Sequence, residues 1–91
     1  MKESMIQVGM NLQEGVVKLR APDAEKADAF VVQHLSPTAA LALAEWLDDG
    51  VPSKKLRITD GRRWVECELP PETARKIAAD LRACAQRISG A

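Results

Sequence analysis

Asp60-Gly61 stands between two runs of alternating apolar residues, 54–59 and 62–69, and no other pair in the chain narrows the fold so far. An Asp-Gly pair in that setting is a strong hairpin signal. Tight turns that match strand twist need positive φ, and glycine supplies it without strain. A two-residue loop would set Leu56 opposite Val65, Arg57 opposite Trp64 and Lys55 opposite Glu66. Leu56, Ile58, Val65, Cys67 and Leu69 then share one face, with Arg63 an exception near the turn. Lys55, Arg57, Thr59, Arg62, Trp64 and Glu66 share the other.

The same logic reads an earlier hairpin. Ile6, Val8, Met10 and Leu12 alternate along residues 5–12, and Val17, Leu19 and Ala21 continue the face beyond Glu14-Gly15. That turn pairs Leu12 with Val17 and Met10 with Leu19. Residues 22–28 are polar and proline-led, which predicts a loop, and residues 29–35 are β-branched and predict a third strand. Ser36-Pro37 marks a helix start, with serine as N-cap and proline at the first helical position. Ala40, Leu43, Ala44 and Leu47 form its apolar stripe, and Gly50 with Pro52 predicts its end near Asp48–Asp49. A second helix is expected from Pro71 to Ile88, striped by Ala74, Ile77, Ala78, Leu81, Cys84 or Ala85, and Ile88, with residues 89–91 frayed.

The two helix entries resemble each other. Leu-x-Pro-x-x-Ala-x-x-φ-Ala-x-x-Leu, with φ an aliphatic residue, matches at Leu35/Leu69, Pro37/Pro71, Ala40/Ala74, Ala44/Ala78 and Leu47/Leu81. The offset is 34 residues, and Phe30 and Val31 align with Trp64 and Val65. The chain therefore reads as a pseudo-repeat of two ββα units with one extra N-terminal strand. The expected architecture is a single α+β domain, residues 1–91. It has a four- to five-stranded, mainly antiparallel sheet with two helices on one face. This strand–Leu-x-Pro-x-x-Ala–helix pattern, over residues 29–47 and 63–88, resembles small uncharacterised ββα proteins of bacteria, phages and prophages. The resemblance implies a protein that binds a host protein to inhibit or redirect it, defence systems included. It carries over no functional residue.

Charge decides which partners are worth weighing. The 91 residues carry 13 basic and 13 acidic side chains, so a wholesale polyanion binder, with its basic excess, is disfavoured. Residues 1–50 hold eight acids and four bases, whereas residues 51–91 hold five acids and nine bases. Such opposed halves can attract each other within the fold, form a basic contact surface, or join two subunits. A chain this short buries a small core, so a homodimer through an open sheet face or strand edge is also expected. No apolar run reaches the ~18 residues of a membrane span, and no signal segment precedes the first strand, which predicts a cytoplasmic protein with no membrane partner. Cys67 and Cys84 are accordingly read as reduced, apolar thiols.

Catalytic patterns are missing. His34 stands apart from any cysteine or carboxylate at metal spacing, Ser36 is a cap, and no glycine-rich phosphate loop occurs. The chain is expected to be no enzyme and to use no metal or cofactor. The best functional candidate is the cluster Lys54, Lys55, Arg57, Arg62, Arg63 and Trp64. Cations around one tryptophan can hold phosphates while the ring stacks on a base, can anchor a protein contact, or can form a solvated cation–π pair. Phe30 shares the outward parity of Trp64, and the two would form a patch if their strands were adjacent. Glu45, Asp48 and Asp49, beside Trp46, make a second candidate surface for a basic partner. Three function classes follow. One is a non-enzymatic protein-binding module, of the modulator or inhibitor kind the resemblance implies. The second is a nucleic-acid-binding protein using hairpin 54–64, and the third is a self-assembling structural component.

Overall fold

In the computed structural model, residues 6–23, 29–50 and 54–90 are described. Strands β1 (Gln7–Asn11), β2 (Val16–Pro22) and β3 (Phe30–Leu35) lead into helix α1 (Pro37–Leu47). Strands β4 (Lys54–Thr59) and β5 (Trp64–Leu69) then lead into helix α2 (Pro71–Gly90). The fold is α+β, and all strand pairing is antiparallel. A helix thus follows each of two antiparallel pairs.

Among the described residues, five strands form two sheets, β1-β2-β3 and β4-β5, in place of the single sheet expected. β3 and β4 are neighbours, but no backbone ladder joins them. Gln33, on the inward parity of β3 with Val31 and Leu35, accepts the Thr59 backbone N–H through Oε1 at 3.1 Å. A side chain therefore takes the place of a ladder bond where the sheets meet.

Both hairpins close with four-residue loops, 12–15 and 60–63, in place of the two-residue loops their glycine pairs suggest, which shifts each register by two, toward the N-terminus in the first and toward the C-terminus in the second. In the first, Met10 pairs with Val17 and Val8 with Leu19. Asn11 Oδ1 accepts from the N–H groups of Gln13 and Glu14, and Gly15 N–H returns to Asn11 O at 2.8 Å. Leu12, placed on the apolar strand face by its parity, is instead a loop residue and 51% exposed. In the second, Leu56 pairs with Cys67, Arg57 with Glu66 and Thr59 with Trp64. Asp60 Oδ1 accepts from the N–H groups of Arg62 and Arg63, and Asp60 N–H donates to Arg63 O. No non-glycine residue among those described has positive φ, so a turn needing it at both Asp60 and Gly61 does not form. Gly61, at φ 96°, opens the tip instead. A shift of two preserves parity, so the apolar and polar faces stand as the alternation laid them out.

Ser36 caps α1, its hydroxyl accepting the Ala39 N–H at 3.1 Å. The helix ends at Leu47, and Gly50, at φ 89°, follows two residues after the Asp48 cap. α2 runs two residues beyond Ile88, through Ser89 and Gly90. The helices pack on each other, α1 also touching β2 and β3, and α2 touching β1, β2 and β5. Ala40, Ala44 and Leu47 of α1 and Ala74, Ala78 and Leu81 of α2 are all buried, so the matching positions of both helix entries serve the same close helix contact. Leu19, Val31, Ile58, Leu69 and Leu81 fill the core, whose buried apolar members are all aliphatic among the described residues.

Charge separation along the chain also has a structural outlet. Asp23, Asp48 and Asp49 from the first half meet Arg63, Arg82 and Lys54 from the second, at 2.6, 3.1 and 2.8 Å. The opposed halves attract each other within one chain.

Candidate aromatic–cation surface

Phe30, Trp46 and Trp64 are the only aromatic residues of the chain, and all three reach the surface. Each carries a cation on its ring. Arg20 lies over Phe30 at 3.8 Å, Lys54 over Trp46 at 4.3 Å and Arg57 over Trp64 at 4.4 Å. Significant cation–π pairs occur about once per 70–80 residues, so three in a chain of 91 residues are an enrichment.

The hairpin surface is built by alternation. On β4, Lys55 and Arg57 point out; on β5, Trp64, Glu66 and Glu68 do. Arg57 lies directly opposite Glu66, with 3.8 Å between charged atoms, and diagonal to Trp64. Lys55 lies opposite Glu68. The surface is a ladder of opposite charges beside one tryptophan that is 58% exposed. Such compensation leaves little field for a phosphate backbone, while the indole keeps a broad apolar face in water.

Other candidate residues have internal duties. Arg63 reaches from the hairpin tip to Asp23, with a second ion pair to Asp60 at 3.8 Å and a bond to the Phe30 carbonyl at 3.5 Å. It ties the β4–β5 tip to the start of β3. Arg62 is exposed at the tip. Phe30 and Trp64 are both exposed, yet they stand on β3 and β5, with β4 between, and not on adjacent strands. The acidic group at the end of α1 divides. Asp48 binds Arg82 of α2, Asp49 binds Lys54, and Glu45 is exposed without an ion pair among the described residues.

Lys54 is the residue sequence reasoning misplaced. Grouped with the basic surface, it shares instead the parity of Leu56 and Ile58 and is 6% exposed. Its ammonium is held between the Asp49 carboxylate and the Trp46 ring, which compensates the cost of burying a cation. Period-two alternation on β4 contained that signal. Arg20 was missed as well, although its place diagonal to Phe30 on the outer face of β2–β3 follows from the same parity.

Cys67 and Cys84 are free thiols and half-buried. Burial raises both pKa values, and for Cys84 the Asp80 carboxylate adds to it. Both therefore favour the protonated, unreactive form. His34 is exposed on β3, and among the described residues no histidines, cysteines and carboxylates gather as a metal site. No described helix is long and apolar enough to cross a membrane. No family model, no curated protein and no solved structure matches the chain.

Proposed function

We propose that this chain is a non-enzymatic protein-binding module that docks its partner on the outer face of β4–β5. The carrying observation is Trp64, 58% exposed and oriented by Arg57 on a charge-compensated face. Tryptophan and arginine dominate protein hot spots because a large apolar ring and a planar cation each contribute strongly once water is excluded. Arg57 and Trp64 form the centre, and Lys55 and Arg62 form a rim. Phe30 with Arg20 supplies a smaller neighbouring site, and Glu45 marks a second surface at the end of α1. The ββα reading of β2-β3-α1 and β4-β5-α2 fits a small cytoplasmic modulator or inhibitor of a bacterial protein complex, such as a defence system.

The test is affinity capture from bacterial lysate, with and without nuclease, using the wild-type chain and the Arg57→Ala/Trp64→Ala variant. A stoichiometric protein that survives nuclease and is lost with the variant is expected. Both side chains are exposed, so the variant should keep the wild-type circular dichroism spectrum. Capture of nucleic acid alone, weakening steeply between about 50 and 200 mM salt, would overturn the reading in favour of a nucleic-acid binder. Self-association with no other captured species would favour a structural component.

A further inference from the structure

β5 pairs with β4 and with no other strand among the described residues. Its free edge can be read from the hairpin. Asp60 N–H donates to Arg63 O, so Asp60 and Arg63 occupy a hydrogen-bonded position of the ladder. Antiparallel pairs alternate, so Ile58–Val65 and Leu56–Cys67 are hydrogen-bonded and Thr59–Trp64 and Arg57–Glu66 are not. Thr59 confirms the phase, since its N–H turns away from β5 and is taken by Gln33. By the same alternation, Trp64 and Glu66 turn their main-chain N–H and C=O groups away from β4, along the outer edge of β5. The edge of β4 is met by β3, and among the described residues no strand meets that of β5.

Side chains say what kind of strand fits there. The outward face of β4 is basic, with Lys55 and Arg57, and that of β5 is acidic, with Glu66 and Glu68. A third strand continuing this alternation is basic on the same face. On the other face, Leu56 and Ile58 of β4 are buried, while Val65 and Cys67 of β5 are only half-buried. The next strand over would cover them with apolar side chains. A second copy of β5 fits poorly, because the antiparallel registers of greatest overlap that keep its two faces aligned set Glu66 against its own counterpart or against Glu68, and like charges directly opposed are destabilising.

We propose that the β5 edge accepts an extended segment of a partner protein in which lysine or arginine alternates with β-branched residues, by strand addition. The main chain of Trp64 and Glu66 supplies hydrogen bonds, Glu66 selects the basic position, and Val65 and Cys67 receive the apolar ones. This rests on the hairpin being the docking element, and it names the chemistry of what docks.

The experiment titrates the full chain with a fluorescent peptide of alternating lysine and valine, followed by polarisation. A second peptide has the same sequence with alternate amides N-methylated, and a third has glutamate for lysine. Glu66→Pro removes an N–H that points outward, so the ladder to β4 should survive. Glu66→Gln removes the charge alone. We expect the lysine peptide to bind, the N-methylated and glutamate peptides to bind about tenfold or more weakly, Glu66→Pro to lose about tenfold, and Glu66→Gln to lose less. Equal binding of the methylated peptide would overturn strand addition, even if Glu66→Pro failed to fold. So would a dimer of the free chain broken by Glu66→Pro, since a second copy would then own the edge. The two readings separate cleanly. Loss of lysate capture in Trp64→Ala with peptide binding indifferent to Glu66→Pro sinks the edge alone. The reverse pattern sinks the docking role of Trp64 alone.

Discussion

Asp60 holds the β4–β5 tip with one carboxylate oxygen that accepts two backbone N–H groups, at 2.9 Å from Arg62 and 2.8 Å from Arg63. Those bonds, chiefly from Arg63, hold its pKa below the usual aspartate value, and the Arg63 charge adds to them. The group is ionised in the fold more readily than in the unfolded chain. Its contribution to stability is complete above the unfolded value, about 4, and is lost as pH falls through the lower folded value. Asn11 plays the same part in the first hairpin with a neutral amide, so that turn has no such dependence. Hydrogen exchange by NMR should find the Arg62 and Arg63 amides losing protection in acid while Gln13 and Glu14 do not. Asp60→Asn should keep the second tip closed and abolish its acid sensitivity, and Asp60→Ala should open it at every pH. These two side chains also explain the registers. Asp-Gly and Glu-Gly mark the turns correctly, but an Asx side chain that accepts the N–H groups two and three residues on lengthens each loop to four residues. That preference lies in how Asn11 and Asp60 bond to the backbone after them and not in the dipeptide signal.

At the scale of elements, strands and helices were legible because alternation and capping are local. Ser36-Pro37, the helix stripes and both strand faces need only neighbours in sequence. The break between the sheets was not legible, because it depends on whether β3 and β4 can form a ladder between residues 26 positions apart. Gln33 reads as one polar residue in a β-branched run, yet it bonds the one Thr59 N–H that β5 cannot reach. Gln33→Ala should leave that donor unpaired in a half-buried place, at a cost of about 1–3 kcal/mol. Urea unfolding would measure the loss. Amide exchange should place the effect at Thr59, with the β1–β2 ladder unchanged. A loss of stability spread evenly over both sheets would mean that Gln33 acts through packing instead. The candidate site divides along the same line. Arg57, Trp64 and their outward face followed from parity. The duties of Arg63, Asp48 and Asp49 did not, because their partners arrive from distant elements.

Across the whole molecule, opposed charges close the chain on itself while an aliphatic core leaves every aromatic ring outside. The optical behaviour follows. With no tyrosine and neither indole in the core, the folded protein should fluoresce at wavelengths typical of wet tryptophan. Denaturation should shift the emission little, although the far-ultraviolet dichroism of two helices collapses. A large blue shift in the free, folded chain would contradict the exposed setting of Trp64. Light emission from this protein should therefore report on its encounters more than on its folding: a partner that covers Trp64 dries an indole that folding leaves wet.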